Sequence, residues 1–179
     1  MSEKNIHLWT IGHSTHSIED FVRALRSFEV QILADVRSFP RSRRYPQFNR
    51  EQLKVSLADA AIEYLHFPAL GGRRNTRPDS LNMAWRNKMF RGYADYMETD
   101  EFHTGIARLM EVAKADRTAV MCAEAVWWRC HRSLISDYLK AKGVEVRHIM
   151  AAGKSEAHPF TSAARIVNGE LSYRGILEG

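Results

Sequence analysis

Hydrophobic positions along the chain follow two alternating rhythms. Short apolar runs read as strands, and between them apolar residues recur at three-and-four spacing, which reads as helix. The first run, Ile6-His7-Leu8-Trp9-Thr10-Ile11, is a buried strand that ends in Gly12-His13-Ser14. Ser17 then suits an N-cap, and Ile18, Phe21, Val22, Leu25 and Phe28 share one helical face. Ile32-Leu33-Ala34 is a second strand leading into Asp35-Val36-Arg37. Residues 38–48 hold Pro40 and Pro46 without periodicity and read as a long loop. Asn49 with Gln52 predicts a capping box opening the next helix, through Leu53 and Leu57.

Ile62-Glu63-Tyr64-Leu65-His66 is a third strand, followed by a second long loop over residues 68–80 with Gly71-Gly72 and Pro78. Loops of that length in a compact domain tend to carry function. Two helices follow: one over residues 81–97 with Trp85, Met89, Tyr93 and Tyr96, the other capped by Thr99 with Phe102, Ile106, Leu109 and Met110. A fourth strand over residues 118–122, a helix over residues 130–142 stopped by Gly143, and a fifth strand over residues 144–150 complete the pattern. The remainder reads as irregular, with a short extended piece at residues 170–173.

Strands alternating with helices imply an α/β fold: a single three-layer domain over residues 1–179, with a mainly parallel central sheet of about five strands and helices on both faces. Such sheets bind ligands beyond the carboxyl ends of their strands. Here those ends carry His13 and Ser14, Asp35 and Arg37, His66, and Cys122 and Glu124. Polar, chemically capable residues thus converge from four separate segments.

Composition narrows the class. At 179 residues, with 45% hydrophobic and 26% charged positions, the chain is an ordinary globular sequence. No apolar window approaches the ~20 residues of a bilayer span, and no signal-peptide pattern opens the chain, so a cytoplasmic address with no membrane partner is expected. Two cysteines eight positions apart then read as thiols or metal ligands rather than a structural disulfide. The net charge of +5 hints at an anionic partner, and the arginine distribution sharpens the hint. Arg37, Arg41, Arg43, Arg44 and Arg50 crowd one segment; Arg73, Arg74 and Arg77 crowd another. Arginine's planar fork suits bidentate grips on phosphate or carboxylate.

The densest chemistry lies in Cys122-Ala123-Glu124 and Cys130-His131-Arg132. Cys130 falls at or just before a helix start, where unpaired N–H groups favour an anion and lower a thiol pKa. Candidate catalytic residues are therefore Cys122, Glu124, Cys130, His131 and His13. Candidate substrate-binding residues are Ser14, Asp35, Arg37, Arg41, Arg43, Arg44, Arg132 and Trp128. His7, His103 and His148 lie inside predicted elements and read as packing or solvent residues.

Several standard motifs fail. The cysteine-to-arginine loop of tyrosine phosphatases and many sulfurtransferases is not met: counted from Cys122, the arginine position falls on Trp128, with Arg129 one residue late. Gly153-Lys154-Ser155 resembles a P-loop end, but His148 stands where its first glycine belongs. No cofactor is expected. Zinc held by Cys122, Cys130 and His131 with His13 or Glu124 is the minor alternative, since no paired-cysteine motif is present.

Thr10-Ile11-Gly12-His13-Ser14, Asp35-Val36-Arg37-Ser38-Phe39-Pro40, Cys122-Ala123-Glu124, Cys130-His131-Arg132 and His158-Pro159-Phe160-Thr161 together resemble the family catalogued as domain of unknown function 488 (DUF488). The resemblance spans most of the chain. It implies a compact α/β domain with a shared pocket and supplies no settled reaction. Family members usually carry a polar, proline-containing turn between the two cysteines; here that turn is Ala125-Val126-Trp127-Trp128.

Two functions fit these residues. One is an enzyme, a thiol-dependent transferase or hydrolase acting on an anionic, phosphate-bearing substrate such as a nucleotide. The other is a nucleic-acid-binding module whose arginine loops track phosphates while Tyr45, Phe48, Trp127 or Trp128 stack on bases. The first ranks higher, because the thiol cluster has no task in the second. The sequence leaves the oligomeric state open, a homodimer included.

Overall fold

The computed structural model describes residues 5–175; residues 1–4 and 176–179 of the expected domain lie outside the described part. The described residues form eight strands and five α-helices, and the first five strands come in the expected alternation with helices. They are β1 (His7–Gly12), α1 (Ile18–Ser27), β2 (Ile32–Asp35), α2 (Arg50–Asp59), β3 (Glu63–His66), α3 (Lys88–Tyr96) and α4 (Asp100–Ala115), then β4 (Thr118–Cys122), α5 (Arg132–Ala141), β5 (Glu145–Ala151), β6 (Lys154–Ala157), β7 (Arg165–Val167) and β8 (Glu170–Ser172). The central sheet has six strands in the order β3-β2-β4-β1-β5-β6. All its pairs are parallel except β5 with β6.

Alternation along the central strands divides the apolar side chains into two clusters. Trp9, Ile11, Ala119 and Met121 pack with Phe21 and Leu25 of α1 and Leu53 and Leu57 of α2. Leu8, Val120 and Cys122 pack with Tyr93 of α3, Phe102, Ile106 and Leu109 of α4, and Leu134 and Leu139 of α5. β4 is buried along its whole length, as expected for a strand in the middle of a parallel sheet.

The chain leaves β1 for β2 on one side of the sheet and leaves β4 for β5 on the other, while β1 and β4 lie side by side. Their carboxyl ends therefore flank the switch in strand order, where parallel sheets open a crevice. In register, Gly12 faces Cys122. Beyond the strands, His13 N–H donates to Cys122 O and Ser14 N–H to Ala123 O, both at 2.9 Å. Gly12 permits this closeness: a Cβ there would sit 1.7 Å from Glu124 O.

Three local expectations change. Ser17 and Thr99 cap α1 and α4 as expected, accepting from the N–H groups of Asp20 and Phe102. Asn49 makes no side-chain cap on α2; its Oδ1 accepts from Ser42 N–H at 2.7 Å and ties down the preceding loop instead. The helix expected over residues 81–97 begins only at Lys88, where Asn87 accepts from Met89 and Phe90 N–H. Residues ahead of it wrap around the Asp95 carboxylate, which accepts from Arg77 N–H, Ser80 Oγ and Asn82 Nδ2. The polar demand of that carboxylate overrides the helical periodicity. Finally, the tail is not irregular: β6 folds back on β5, and β7 and β8 form a hairpin turned by Asn168 and Gly169, both at positive φ. Asn-Gly is the preferred pair for such a turn.

Candidate functional site

A cavity of about 300 Å³ opens at the carboxyl ends of β2 and β4. Its walls bring together Arg37, Ser38, Phe39 and Arg41 after β2, Gly72 and Arg73 from the second long loop, and Met89, Phe90 and Tyr93 of α3. Cys122, Ala123, Glu124, Arg129, Cys130 and His131 complete it. Four of the five expected catalytic residues, Cys122, Glu124, Cys130 and His131, therefore line one space with four arginines.

Arg37 is nearly buried and locked in place. Its Nε and Nη2 donate to the Asp35 carboxylate, at 3.0 and 2.8 Å, and Nη2 also donates to Phe48 O at 2.8 Å. Asp35, fully buried, further accepts the Tyr64 hydroxyl proton at 2.5 Å. Burial and the facing Asp35 charge together push the Tyr64 phenol up. Asp35 thus lies beneath the cavity as the holder of Arg37 rather than as a cavity wall. His13 stands behind the same guanidinium. Its Nδ1 lies 3.0 Å from Ser14 O and its Nε2 3.4 Å from Arg37 Nη1, while its ring stacks on Phe48 at 4.4 Å. Donation from Nδ1 leaves Nε2 as an acceptor for arginine, which requires a neutral ring. Burial lowers His13 to about 4, with the Arg37 charge acting the same way, so the ring is neutral at neutral pH.

The two thiols are both buried and both free, and both line the cavity. Burial pushes both up. For Cys122 this is more than offset by the neighbouring Cys130 thiol, the Arg132 charge and the Glu124 backbone, so Cys122 ends lower than an ordinary thiol. Cys130, buried and facing Cys122, is held well above. His131 has its Nε2 3.0 Å from Val36 O and its Nδ1 3.5 Å from Cys130 Sγ. Donation to the carbonyl fixes the tautomer and leaves the Nδ1 lone pair facing the thiol. Burial lowers His131 to about 4, so that lone pair is free at neutral pH. Gly72 packs against this ring: a Cβ there would lie 3.0 Å from Nδ1.

Arg132 is buried and does not line the cavity. Its Nη2 donates to Glu124 O at 3.0 Å and Ala125 O at 3.1 Å, which pins the turn between the cysteines. Its Nε has no hydrogen-bond partner, and among the described residues no carboxylate pairs with it. A buried cation without a carboxylate favours negative charge on whatever is nearest, and Cys122 is within its field.

The other expected binding residues are scattered. Ser14 sits at positive φ beside the first strand's end, outside the cavity wall. Arg43 and Arg44 are exposed on the loop after Arg41 and also lie outside it. Trp128, 50% exposed, is not part of the cavity wall, while its neighbour Trp127 is buried. No three His, Cys, Asp or Glu side chains gather to hold a metal ion among the described residues.

Sequence reasoning missed part of the wall and one polar network. Phe39 and Met89, 71% and 64% exposed, stand at the mouth, and the Arg73 guanidinium lies 5.8 Å from the Phe39 ring. Behind the thiols, Thr10, His148, His158 and Asp137 form a buried chain. Thr10 Oγ1 meets His148 Nδ1 at 2.5 Å, His148 Nε2 meets His158 Nδ1 at 2.8 Å, and His158 Nε2 meets Asp137 Oδ1 at 2.8 Å. One assignment of protons satisfies all three contacts, each donor pointing toward the carboxylate. Asp137 also accepts from Thr161 N–H, Thr161 Oγ1 and Tyr173 Oη. Trp127 lies flat on His148 at 4.6 Å and donates to Glu156. His148, read from the sequence as packing or solvent, is fully inside this network, with burial first, then the neighbouring His158 and the Arg132 charge, lowering it to about 2.

Fold and site together define a mostly parallel α/β protein whose strand ends hold a cavity lined by thiols and arginines. The chain belongs to the DUF488 family: the model of that domain of unknown function matches residues 17–139, from the start of α1 through most of α5. Neither the curated proteins nor the solved structures give a match. Among the described residues no helix is long and apolar enough to cross a membrane.

Proposed function

We propose that this protein is a thiol-dependent enzyme acting on an anionic, phosphate-bearing substrate. One observation carries the reading: Arg37, Arg41, Arg73 and Arg129 share one cavity with Cys122, Cys130 and His131. Arg37 is neutralised by Asp35, so it serves as a rigid donor, whereas Arg41, Arg73 and Arg129 are exposed and bring uncompensated charge to an anion. Cys122 is the nucleophile, supported by the Arg132 charge. Glu124 and His131 are the groups placed to move protons. Exposed Phe39 and Met89 at the mouth offer an apolar surface to a planar ring, which favours a nucleotide over inorganic phosphate. Free thiols suit a reducing compartment, in keeping with a cytoplasmic enzyme.

Nucleic-acid binding is the second reading, favoured by exposed Arg43 and Arg44 outside the cavity and by exposed Trp128. Calorimetric titration with inorganic pyrophosphate, a nucleoside monophosphate and a single-stranded oligonucleotide separates the two. The enzyme reading expects saturable binding of the small anions, weakened at least tenfold in Arg73→Ala and Arg129→Ala. Oligonucleotide binding that falls steeply with salt, with no small-anion binding, would replace it by the second reading.

A further inference from the structure

We infer that Cys122 and Cys130 are a working dithiol, which a small hydroperoxide converts to an intramolecular disulfide with His131 as the base for closure. The proposal goes beyond anion recognition and does not depend on it.

Three features assemble the pair. The cysteines end β4 and immediately precede α5, and only residues 123–129 separate them. Both side chains are free and buried, and both line the same cavity of about 300 Å³, so the two sulfurs face one space. Their surroundings are unequal. Cys122 lies within the field of Arg132, whose buried Nε has no partner, while Cys130 lies 3.5 Å from the His131 Nδ1 lone pair. The proton on Cys130 thus has an acceptor in reach, His131 Nδ1. A thiolate-prone thiol beside a protonated partner with its own base is the arrangement in which the first reacts and the second resolves.

The chemistry balances as follows. Cys122 thiolate attacks one oxygen of the hydroperoxide, the O–O bond breaks, and the departing alkoxide or hydroxide takes a proton. This leaves Cys122 sulfenic acid. His131 Nδ1 then takes the Cys130 proton, Cys130 sulfur attacks Cys122 sulfur, and the S–O bond breaks. The leaving oxygen carries off the His131 proton as water. Two thiols and one hydroperoxide yield one disulfide, one alcohol (or water) and one water. A low-molecular-weight thiol returns the pair to its reduced state, itself ending as the disulfide. Val36 O supports the closing step, because it holds His131 Nε2–H and keeps Nδ1 unprotonated.

Closure also changes the charge beside Arg132. The disulfide cannot offer negative charge to that guanidinium, so the turn it pins through Glu124 O and Ala125 O loosens. Trp127 and Trp128 lie on that turn and report it.

The test treats the reduced full-length protein with a few equivalents of hydrogen peroxide and no added anion, then maps it by mass spectrometry. Trypsin cuts at Arg129, between the cysteines, so the expected bond joins peptide 118–129 to the tripeptide 130–132. Cys130→Ser should stop at a Cys122 sulfenic acid that dimedone traps. His131→Asn should form that sulfenic acid at the wild-type rate but close to the disulfide at least tenfold more slowly. Circular dichroism confirms that each variant is folded, and the wild-type mapping stands whatever the variants do. Dimedone labelling of Cys130 in place of Cys122, disulfides only between molecules, or no disulfide in the wild-type protein would each overturn the inference. None of these outcomes bears on anion binding, which the calorimetric titration tests on its own.

Discussion

Lowering the pH from about 7 to 5 should destabilise this protein steeply, and the structure gives the size of the effect. His13 and His148 are buried as neutral rings, lowered from 6.5 to about 4 and about 2. The unfolded chain binds the protons that the folded one refuses. Stability from these rings is therefore complete above about pH 6.5 and is lost as pH falls below it. At pH 5 each ring costs about 2 kcal/mol, from ~1.5 pH units at ~1.4 kcal/mol per unit, or about 4 kcal/mol for the two. His131, lowered to about 4 but only partly buried, acts in the same direction. Against a typical domain stability of about 5–15 kcal/mol, that loss is large. The assay is urea unfolding followed by far-ultraviolet circular dichroism at several pH values between about 7 and 5. His148→Gln keeps a neutral polar group that cannot titrate, so its stability should fall with pH more gently, by about 1.4 kcal/mol per unit. His13→Gln provides the same comparison at the other ring. A wild-type stability that is flat over this range, or variants that fall as steeply as wild type, would refute the claim that these rings are held neutral.

Two further predictions concern architecture. Asp137→Ala leaves four donors without an acceptor, two of them buried, from His158 and Tyr173, and two half-buried, both from Thr161. At about 1–3 kcal/mol each, the loss in urea unfolding should be at least about 4 kcal/mol, and a loss under ~1 kcal/mol would show that the network is not a structural unit. Gly12→Ala places a methyl group 1.7 Å from Glu124 O, so the turn between the cysteines must shift. The expected cost is about 1–3 kcal/mol together with altered thiol reactivity, and an unchanged melting temperature would contradict the close approach.

How much of this was legible in the residues depended on the range of the interactions. Local pattern gave the parallel strands and most helices, because the unbroken apolar runs of β1 and β4 are the imprint of strands buried along nearly their whole length. The strand-end rule pointed to Cys122, Glu124 and Arg37, which line one cavity, and the helix-start reading added Cys130; His13, Ser14, Asp35 and His66, named by the same rule, do not line it. Side-chain direction escaped it. Nothing local tells that Arg132 turns back to carbonyls behind the thiols, or that Asp35 is spent on holding Arg37. The shortened α3 and the His148–His158–Asp137 chain were hidden for a related reason. Each depends on one carboxylate collecting donors from distant segments, and no window of sequence contains both sides of such a bond. Arg73, Arg129 and Phe39 reach the cavity from loops whose course no periodicity describes.

The central claim is that an anion and a reactive thiol share the strand-end cavity. The direct measurement is the rate of iodoacetamide labelling at each cysteine of the folded, reduced protein, read by mass spectrometry with and without inorganic pyrophosphate. The account predicts that Cys122 is labelled well ahead of Cys130, and that saturating pyrophosphate slows Cys122 at least tenfold at constant ionic strength. Equal, slow labelling of both cysteines, unchanged by pyrophosphate, would contradict it.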